Sequence, residues 1–195
     1  MPNDEKSLWN KKYSEGSHLS LDPDPLLVSA YDEFLSNHEP GLALDVAGGV
    51  GRHAIWLAQR GWRVRLMEIS DVGIELAKKN TERAFSGRDK EELITTATAD
   101  LSAARDLGRE QYDLVLVFYY LQRELFPALM AALKPGGFLI YKTYTTEQKR
   151  FGGGPNHPMF LLEPNELLRA FNALRILRYH ETTAEKGVAE LVARR

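Results

Sequence analysis

The sequence lacks cysteine, long apolar runs and any excess of positive charge. The absence of cysteine excludes disulfide bonds, a cysteine-ligated zinc site and a thiol nucleophile. The longest apolar run, 114–121, is much shorter than the roughly 20 residues that a membrane-spanning helix needs. Residues 1–10 contain no apolar core of the kind found in secretory signals. We therefore expect a cytoplasmic protein without a membrane partner.

The charged residues are nearly balanced, with a formal net charge of -2 over 195 residues. Lysine and arginine are scattered, and the basic clusters are dipeptides such as Lys11–Lys12. Because nucleic-acid-binding domains usually carry a strongly basic face, we expect no nucleic-acid partner. A chain of this length fits one domain, residues 1–195, and we expect a monomer or a homodimer.

Strands and helices alternate along most of the chain. The predicted strands are 42–46, 63–69, 94–99, 112–119 and 138–144, and the predicted helices are 25–35, 52–60, 72–85, 124–133 and 164–172. This alternation predicts parallel strands joined by right-handed crossovers. The last two runs, 175–182 and 188–194, are joined by a short turn, so at least one strand is antiparallel. The predicted fold is an α/β, Rossmann-like open sheet, mostly parallel, with an antiparallel C-terminal hairpin and helices on both faces.

A glycine-rich turn, Ala47-Gly-Gly-Val-Gly51, separates the first predicted strand from the helix that begins at Arg52. Ligands of open α/β sheets bind beyond the carboxyl ends of the strands. Glycines allow a ligand to approach the backbone closely, and the first turn of the following helix offers free amide groups. A purely structural tight turn is the alternative interpretation.

Three acidic residues lie within or directly after the first three predicted strands, and they favour a nucleoside-binding site over a purely structural turn. Glu68, 19 positions after Gly49, can accept hydrogen bonds from both hydroxyls of a ribose. Asp45 lies inside an apolar strand, where a carboxylate is costly without a cationic partner such as the ammonium of a methionine moiety. Asp100 can accept from an adenine amino group, with Leu101 packed on the ring. Alternatively, Glu68 is an exposed strand-end charge and Asp100 a helix N-cap.

The glycine-rich turn is compatible with two kinds of cofactor, a dinucleotide and S-adenosylmethionine. Residues Gly49–Ala54 also satisfy the relaxed dinucleotide-binding pattern, which favours a nucleotide-dependent oxidoreductase. However, a pyrophosphate gains nothing from a carboxylate at Asp45, and the chain has no Tyr-x-x-x-Lys pair for hydride chemistry. S-adenosylmethionine, which is positively charged at its sulfonium and ammonium groups, fits this pattern better.

Taken together, these motifs resemble those of a known enzyme family. Asp45–Gly51, Glu68, Asp100–Leu101 and Leu133–Phe138 resemble the motifs of class I S-adenosylmethionine-dependent methyltransferases in order and spacing, across about Leu42–Tyr144. The resemblance implies a seven-stranded sheet, S-adenosyl-L-methionine as cofactor and S-adenosyl-L-homocysteine as product. The residues it implies for cofactor binding are Trp9, Tyr13, Asp45, Ala47, Gly48, Gly49, Gly51, Arg52, Glu68, Ile69, Asp100, Leu101 and Phe118. Ala47 departs from the family, which more often has glycine there.

A narrower resemblance covers the whole chain. The segments Trp9–Tyr13, Gly51–Leu57, Leu121–Pro127 and Gly154–Leu162 are similar to the tellurite-resistance-type branch of bacterial methyltransferases. This resemblance implies an N-terminal helical cap within residues 1–40, in which Trp9 and Tyr13 fold over the cofactor. Two aromatic residues that anchor a surface helix are the alternative.

The acceptor side is predicted from residues that follow the later strands. Phe118, Tyr119 and Tyr120 end the fourth strand, where aromatic faces can stabilise a sulfonium and shape an acceptor pocket. Arg123 can attract an anionic acceptor or begin a surface helix, and His157 is either a general base or an exposed loop residue. Methyl transfer mainly needs alignment, so no catalytic residue and no metal ligand is required.

We therefore predict an S-adenosylmethionine-dependent methyltransferase that acts on a small molecule. The acceptor is an oxyanion of the tellurite or selenite type, a thiol or a nitrogen. A nucleotide-dependent oxidoreductase and a non-catalytic adenosylmethionine-binding protein are the alternatives.

Overall fold

The computed structural model describes residues 2–85, 93–103 and 106–195. The chain divides into two compact units, Met1–Ala104 and Arg105–Arg195. Within the described ranges, no helix combines the length and the apolar character needed to cross a membrane.

The first unit contains three parallel strands and the helices that connect them. Its elements are α1 (Pro2–Ser14), α2 (Pro25–Ala30) with a π-helical continuation (Tyr31–Leu35), β1 (Leu42–Val46), α3 (Arg52–Ala58), β2 (Arg63–Glu68), α4 (Asp71–Ala84) and β3 (Ile94–Thr98). Strand β2 pairs in parallel with both β1 and β3. This arrangement brings the carboxyl ends of all three strands to one edge, where the glycine turn begins.

Local sequence explains where the helices of this unit begin. Pro25 is the first residue of α2, and the Asp24 side chain accepts a hydrogen bond from the Leu26 amide at 2.9 Å. Ser70 caps α4, because its hydroxyl accepts from the Gly73 amide at 3.0 Å. Each cap satisfies an amide that the helix itself leaves unpaired.

The second unit contains the remaining four strands. Its elements are β4 (Tyr112–Phe118), α5 (Phe126–Ala132), β5 (Leu133–Tyr144), α6 (Glu166–Ala170), β6 (Arg175–Thr182) and β7 (Val188–Arg194), with short 3₁₀ turns at Arg123–Leu125, Thr146–Arg150 and Pro158–Phe160. Strands β4 and β5 are parallel, whereas β7 is antiparallel to β5 and to β6. The seven strands follow the order β3-β2-β1-β4-β5-β7-β6 in one mixed sheet, which confirms the predicted fold.

The start of the fifth strand, predicted at residue 138, is the clearest boundary error. In the structure β5 already begins at Leu133, which pairs with Tyr112, and the register then shifts before Leu114 pairs with Phe138. A bulge absorbs the extra residues, and a β carbon on Gly137 would lie 3.0 Å from the Tyr112 carbonyl oxygen. Helices α5 and α6 are also shorter than predicted, because a 3₁₀ turn precedes α5 and α6 spans only Glu166–Ala170.

Candidate functional site

The glycine-rich turn lies between β1 and α3 and is tied to the end of β2. The Gly48 amide donates to the Met67 carbonyl at 3.0 Å. A β carbon on Gly48 would lie 2.8 Å from Asp45 Oδ2, so only glycine fits there. Ala47 has a φ of 54°, a left-handed conformation that costs a side-chain-bearing residue roughly 1–2 kcal/mol. The departure from the family pattern is therefore accommodated with backbone strain.

Glu68 closes the turn from the side of β2. Its Oε2 accepts from the Gly49 amide at 3.0 Å, its Oε1 accepts from the Ser70 amide at 2.9 Å, and the residue is only 3% exposed. Burial raises the pKa of Glu68, and the amide donors act in the opposite direction. The Ile69 amide also donates to this carboxylate, so its two oxygens already accept three backbone hydrogen bonds and keep about one lone pair for a ligand. The contact with ribose hydroxyls stays a prediction, while the alternative of an exposed strand-end charge does not match this burial.

Asp45 lies beneath the turn with an unsatisfied charge. The residue is 1% exposed, and its Oδ2 has no hydrogen-bond partner among the described residues. The Ala54 amide donates to the carboxylate, and Oδ1 lies 4.0 Å from Nδ1 of His53. Burial is the main cause that raises its pKa to about 7, and nearby Arg52 acts against this. Gly48 covers Oδ2, so a direct contact between Asp45 and an ammonium group stays a prediction. In this geometry the Asp45 charge would attract a cation across the glycine turn.

His53 is a site residue that the sequence analysis missed. It is buried in the first turn of α3, and its Nε2 accepts from the Asp24 amide at 3.3 Å. This places the neutral ring's proton on Nδ1, facing Asp45. A histidine directly after Arg52, in the helix that leaves the turn, is the signal that points to it.

Helix α1 packs on the turn and on the start of α4. The Tyr13 hydroxyl lies 2.8 Å from the position that a β carbon on Gly49 would take, and Tyr13 is buried. Burial and then Glu68 raise the pKa of Tyr13. The Ser70 hydroxyl donates to Asn10 Oδ1 at 2.6 Å, and Lys6 pairs with Asp71 at 2.7 Å.

The two aromatic residues of α1 have different environments. The Trp9 ring is 5.6 Å from that of Tyr13 and 5.5 Å from that of His18, and Lys12 Nζ lies 4.3 Å from its centroid. Tyr13 reaches the turn, whereas Trp9 supports Tyr13 from the side. Tyr13 thus anchors α1 against the turn at Gly49, whereas the folding of Trp9 and Tyr13 over a cofactor stays a prediction.

Asp100 follows β3 and has a capping role in this structure. Its Oδ1 accepts from the Ser102 amide at 2.9 Å and from the Ser102 hydroxyl at 2.6 Å. Glu5 of α1, which the sequence analysis did not identify, has a pKa raised first by burial and then by Asp100. Glu5 also acts on Glu68. Asp100 thus joins an acidic cluster, and its contact with an adenine stays a prediction.

The remaining predicted residues of this unit surround the turn. Gly51 precedes α3 as its N-cap, Arg52 is the first residue of that helix, and Ile69 and Leu101 directly follow the carboxylates that end β2 and β3. Four carboxyl groups, those of Asp45, Glu68, Asp100 and Glu5, lie on this side of the first unit and outnumber the nearby cation of Arg52. Such an environment favours a cationic nucleoside and opposes a pyrophosphate.

In the second unit, aromatic residues lie at the carboxyl ends of β4 and β5. Tyr119 has a φ of 57°, which is a strained conformation for a bulky residue. Its amide donates to the Lys142 carbonyl at 2.7 Å, and its ring lies 5.2 Å from that of Tyr144. Phe118 is buried in the core, and the Tyr120 carbonyl accepts from the Tyr141 hydroxyl at 2.9 Å.

Lys142 is a second residue that the sequence analysis missed. Its side chain is 4% exposed, it pairs with Glu190 at 2.8 Å, and its Nζ lies 5.7 Å from the Tyr119 ring centroid. Lysine is almost never fully buried unless it is paired. A lysine in the otherwise apolar and aromatic run of β5 is the signal that points to it.

Arg123 holds a neighbouring turn in place. Its guanidinium binds both carboxylate oxygens of Glu166, at 2.6 and 2.9 Å, and donates to the carbonyls of Met159 and Leu161 at 3.1 and 2.9 Å. The hydrogen bond that Arg123 donates to Glu166 is the main cause that raises the pKa of Arg123. This geometry serves the positioning of residues 158–162, and attraction of an anionic acceptor stays an untested prediction.

His157 caps the 3₁₀ turn that follows it. It is exposed, and its Nδ1 accepts from the Met159 amide at 3.3 Å. The lone pair that a general base needs is therefore occupied by a backbone amide. A catalytic role requires this cap to open.

Comparisons with known proteins agree with the fold and the turn. Residues 43–137 match the sequence model of a family described as a methyltransferase domain. No curated protein sequence matches the chain. TehB from Haemophilus influenzae is similar in structure, with a TM-score of 0.73, 17% identity, and coverage of 95% of this chain and 67% of that chain.

Two further solved structures are similar over most of their length. One comes from work on conversion of a disulfide bond into a thioacetal group during echinomycin biosynthesis, with a TM-score of 0.70, 19% identity, and coverage of 98% of this chain and 92% of that chain. The other is an S-adenosylmethionine-dependent methyltransferase from Mesorhizobium loti, with a TM-score of 0.69, 18% identity, and coverage of 90% and 100%. At these identities the likeness shows the fold.

Proposed function

We propose that this chain, a class I S-adenosylmethionine-dependent methyltransferase, transfers the methyl group of its cofactor to a small-molecule acceptor. The resemblance predicted from the motifs is confirmed by the family match over residues 43–137 together with the fold. The cofactor of this class is S-adenosylmethionine, which supplies a methyl group already activated on a sulfonium. The acceptor is the part that the fold leaves open.

The observation that carries the proposal is a buried carboxylate oxygen of Asp45, beneath the glycine turn, for which the described part of the chain offers no hydrogen-bond partner. Glu68 lies beside the same turn, bonded to the Gly49 amide. A buried negative charge is costly unless it meets a positive one. Asp45, Glu68, Asp100, Tyr13 and the amides of the turn would hold the cationic cofactor, and they do not suit a pyrophosphate.

Similar structures support the cofactor and leave the acceptor open. The magnesium protoporphyrin IX methyltransferase of Synechocystis was solved with bound S-adenosylhomocysteine, and the glycopeptide N-methyltransferase MtfA with S-adenosylmethionine. The acceptors in these names, a magnesium porphyrin and a glycopeptide, are chemically different. Function on a shared fold is decided by the site, so the acceptor must be argued from this chain's own residues.

This chain's residues contribute positioning more than acid–base chemistry. Tyr119 and Tyr144, at the ends of β4 and β5, offer aromatic faces for a small acceptor. Alignment of the acceptor with the methyl group can lower the barrier by several kcal/mol, roughly 7–11 in the best model reactions. We propose no nucleic-acid partner and a monomeric or homodimeric protein.

Calorimetric titration with S-adenosylhomocysteine tests the cofactor assignment, with reduced nicotinamide dinucleotides as the matched control. We expect binding of S-adenosylhomocysteine and none of the dinucleotide. The reverse result would overturn the proposal. A screen of acceptors with methyl-labelled cofactor then tests catalysis. Tight cofactor binding without methyl transfer to any acceptor class would favour a non-catalytic binding protein.

A further inference from the structure

The charges at the carboxyl ends of β4 and β5 are compensated within the second unit. We define the acceptor-side cluster as Arg123, Glu166, Lys142 and Glu190 with the aromatic residues Tyr119 and Tyr144. We propose that the methyl acceptor is an uncharged, apolar molecule with a thiol or aromatic nitrogen nucleophile, and that Glu166 and Glu190 exclude anionic acceptors such as tellurite. This inference rests on the proposed function and names its substrate class.

The first compensated cation is Lys142. Lys142 and Glu190 are direct cross-strand partners on β5 and β7, and their side chains are 2.8 Å apart. The lysine side chain is 4% exposed, whereas that of Glu190 is 25% exposed. An anion that approached this pair would meet the carboxylate more readily than the ammonium. The Lys142 ammonium is therefore neutralised by Glu190 and does not attract an anionic ligand.

The second compensated cation is Arg123. Its two bonds to Glu166 form the bidentate geometry that guanidinium and carboxylate groups prefer, and its other donors bind the carbonyls of Met159 and Leu161. An anionic acceptor would have to compete with an intramolecular carboxylate that is already in place. The arginine acts on the acceptor only through the turn that it holds.

The turn held by Arg123 carries exposed apolar side chains. Met159 is 57% exposed and Phe160 is 42% exposed. The same segment continues along the end of β5, where the Leu162 amide donates to the Tyr144 carbonyl at 2.9 Å. Tyr144 in turn packs against Tyr119, with ring centroids 5.2 Å apart. The exposed apolar side chains thus belong to a segment that is hydrogen-bonded to the strand end carrying the paired rings, and exposed apolar surface of this kind often marks a ligand-binding site.

The reaction with such an acceptor balances without a further reagent. The lone pair of the acceptor's sulfur or nitrogen forms the new bond to the methyl carbon. The carbon–sulfur bond of the sulfonium breaks, and its electron pair stays on sulfur, which becomes an uncharged thioether. A thiol proton leaves to water, so the occupied Nδ1 of His157 is not needed as a base.

Anion binding tests this inference directly. Sodium tellurite is titrated into the wild type, Glu166→Gln and Glu190→Gln, with and without saturating S-adenosylhomocysteine. We expect no binding to the wild type in the millimolar range and at least about tenfold tighter binding in a variant that exposes a cation. Glu147→Gln is the matched control, because Glu147 pairs with Arg150 on an exposed turn. Glu166 is the first residue of α6, outside the sheet that contains Glu190, so Glu166→Gln is informative even where Glu190→Gln fails to fold.

Methyl transfer supplies the second readout. We expect benzenethiol to be methylated with a kcat/KM at least about tenfold above that for tellurite. Submillimolar binding of tellurite to the wild type, a higher kcat/KM for tellurite, or variants that bind tellurite no better than the wild type would each overturn the inference. Loss of S-adenosylhomocysteine binding would instead overturn the proposed function, because the tellurite titrations are also read without it.

Discussion

At the scale of single residues, two buried carboxylates define the candidate cofactor site in different ways. Glu68 accepts from the Gly49 and Ser70 amides, so its charge is partly compensated by the backbone. Asp45 keeps one oxygen without a hydrogen-bond partner among the described residues. Glu68 therefore shapes the turn, whereas Asp45 stores an unfavourable charge that a cationic ligand can relieve.

Glu68→Ala is expected to weaken S-adenosylhomocysteine binding by more than about tenfold. The change removes the acceptor for the Gly49 amide and the carboxylate that we expect to bind ribose. Calorimetric titration measures the effect. Glu75→Ala, which removes an exposed carboxylate paired with Lys78 on α4, serves as the control and should bind normally. Equal affinities of the two variants would contradict the assignment of Glu68.

Asp45→Asn is expected to change the pH dependence of stability. Burial raises the pKa of Asp45 from 3.8 to about 7, so the folded state holds this proton more tightly than the unfolded chain. The stability that this group contributes is therefore fully present below about pH 4 and is lost as the pH rises through about 7. Asparagine stays uncharged, so the variant should exceed the wild type at about pH 8 by on the order of 1–4 kcal/mol, and the two should converge near pH 4.

Urea unfolding of the ligand-free protein over this pH range measures the difference. Asp22→Asn is the control, because Asp22 is exposed and hydrogen-bonded to Ser20. A stability difference for Asp45→Asn that does not change with pH would show that the charge is not its cause.

At the scale of elements, helix α1 docks on the glycine turn and on the start of α4. Tyr13 lies over Gly49, Asn10 binds the cap of α4, and Lys6 pairs with Asp71. The polar contacts all involve the residues that directly follow Glu68. Helix α1 therefore contacts both the glycine turn and the residues that follow β2.

Gly49→Ala is expected to destabilise the protein, and Tyr13→Phe is expected to recover part of the loss. A β carbon at position 49 would lie 2.8 Å from the Tyr13 hydroxyl but 3.7 Å from Cζ, so removing the hydroxyl relieves the contact. The left-handed φ of 57° still costs about 1–2 kcal/mol in the double variant. A double-mutant cycle of unfolding free energies measures the coupling. Gly152→Ala, with no atom within 4 Å of its β carbon, is the control.

Additive free energies in this cycle would mean that Tyr13 does not contact the turn in solution. A favourable coupling would confirm that α1 covers the turn. The control separates this effect from the general cost of replacing a loop glycine.

The sequence predicts strands better than contacts between distant residues. The bounds of β1, β6 and β7 agree with their prediction to the residue. Glycine-containing turns follow β1 and separate β6 from β7, and these turns delimit the strands clearly. The bulged start of β5 was missed, because Lys134–Gly137 has turn composition and only pairing with β4 makes it a strand. In the candidate site, too, local features were predicted better than contacts between distant residues. Strand ends place Asp45 and Glu68 at one turn, whereas the pairing of Arg123 with Glu166, 43 positions apart, depends on tertiary structure.

At the scale of the whole molecule, charge is unevenly distributed despite a net charge of only -2. The first unit concentrates carboxylates around the glycine turn, and the acceptor-side cluster pairs each cation with a carboxylate. A cationic cofactor and an uncharged acceptor match these two environments. Ligand binding to the first unit should therefore stabilise the protein by relieving its acidic cluster.

We expect S-adenosylhomocysteine at about 100 times its Kd to stabilise the protein by about 2.7 kcal/mol and to raise the Tm by roughly 5–10 °C. Calorimetric scans measure this shift, and the same concentration of a reduced nicotinamide dinucleotide should leave the Tm unchanged. If residues 1–195 form the predicted single domain, thermal unfolding should show one cooperative transition. S-adenosylhomocysteine should then shift this whole transition to a higher temperature. Two transitions, of which S-adenosylhomocysteine moves only one, would contradict the single domain and show that the two units unfold separately. An unmoved Tm would contradict cofactor binding itself.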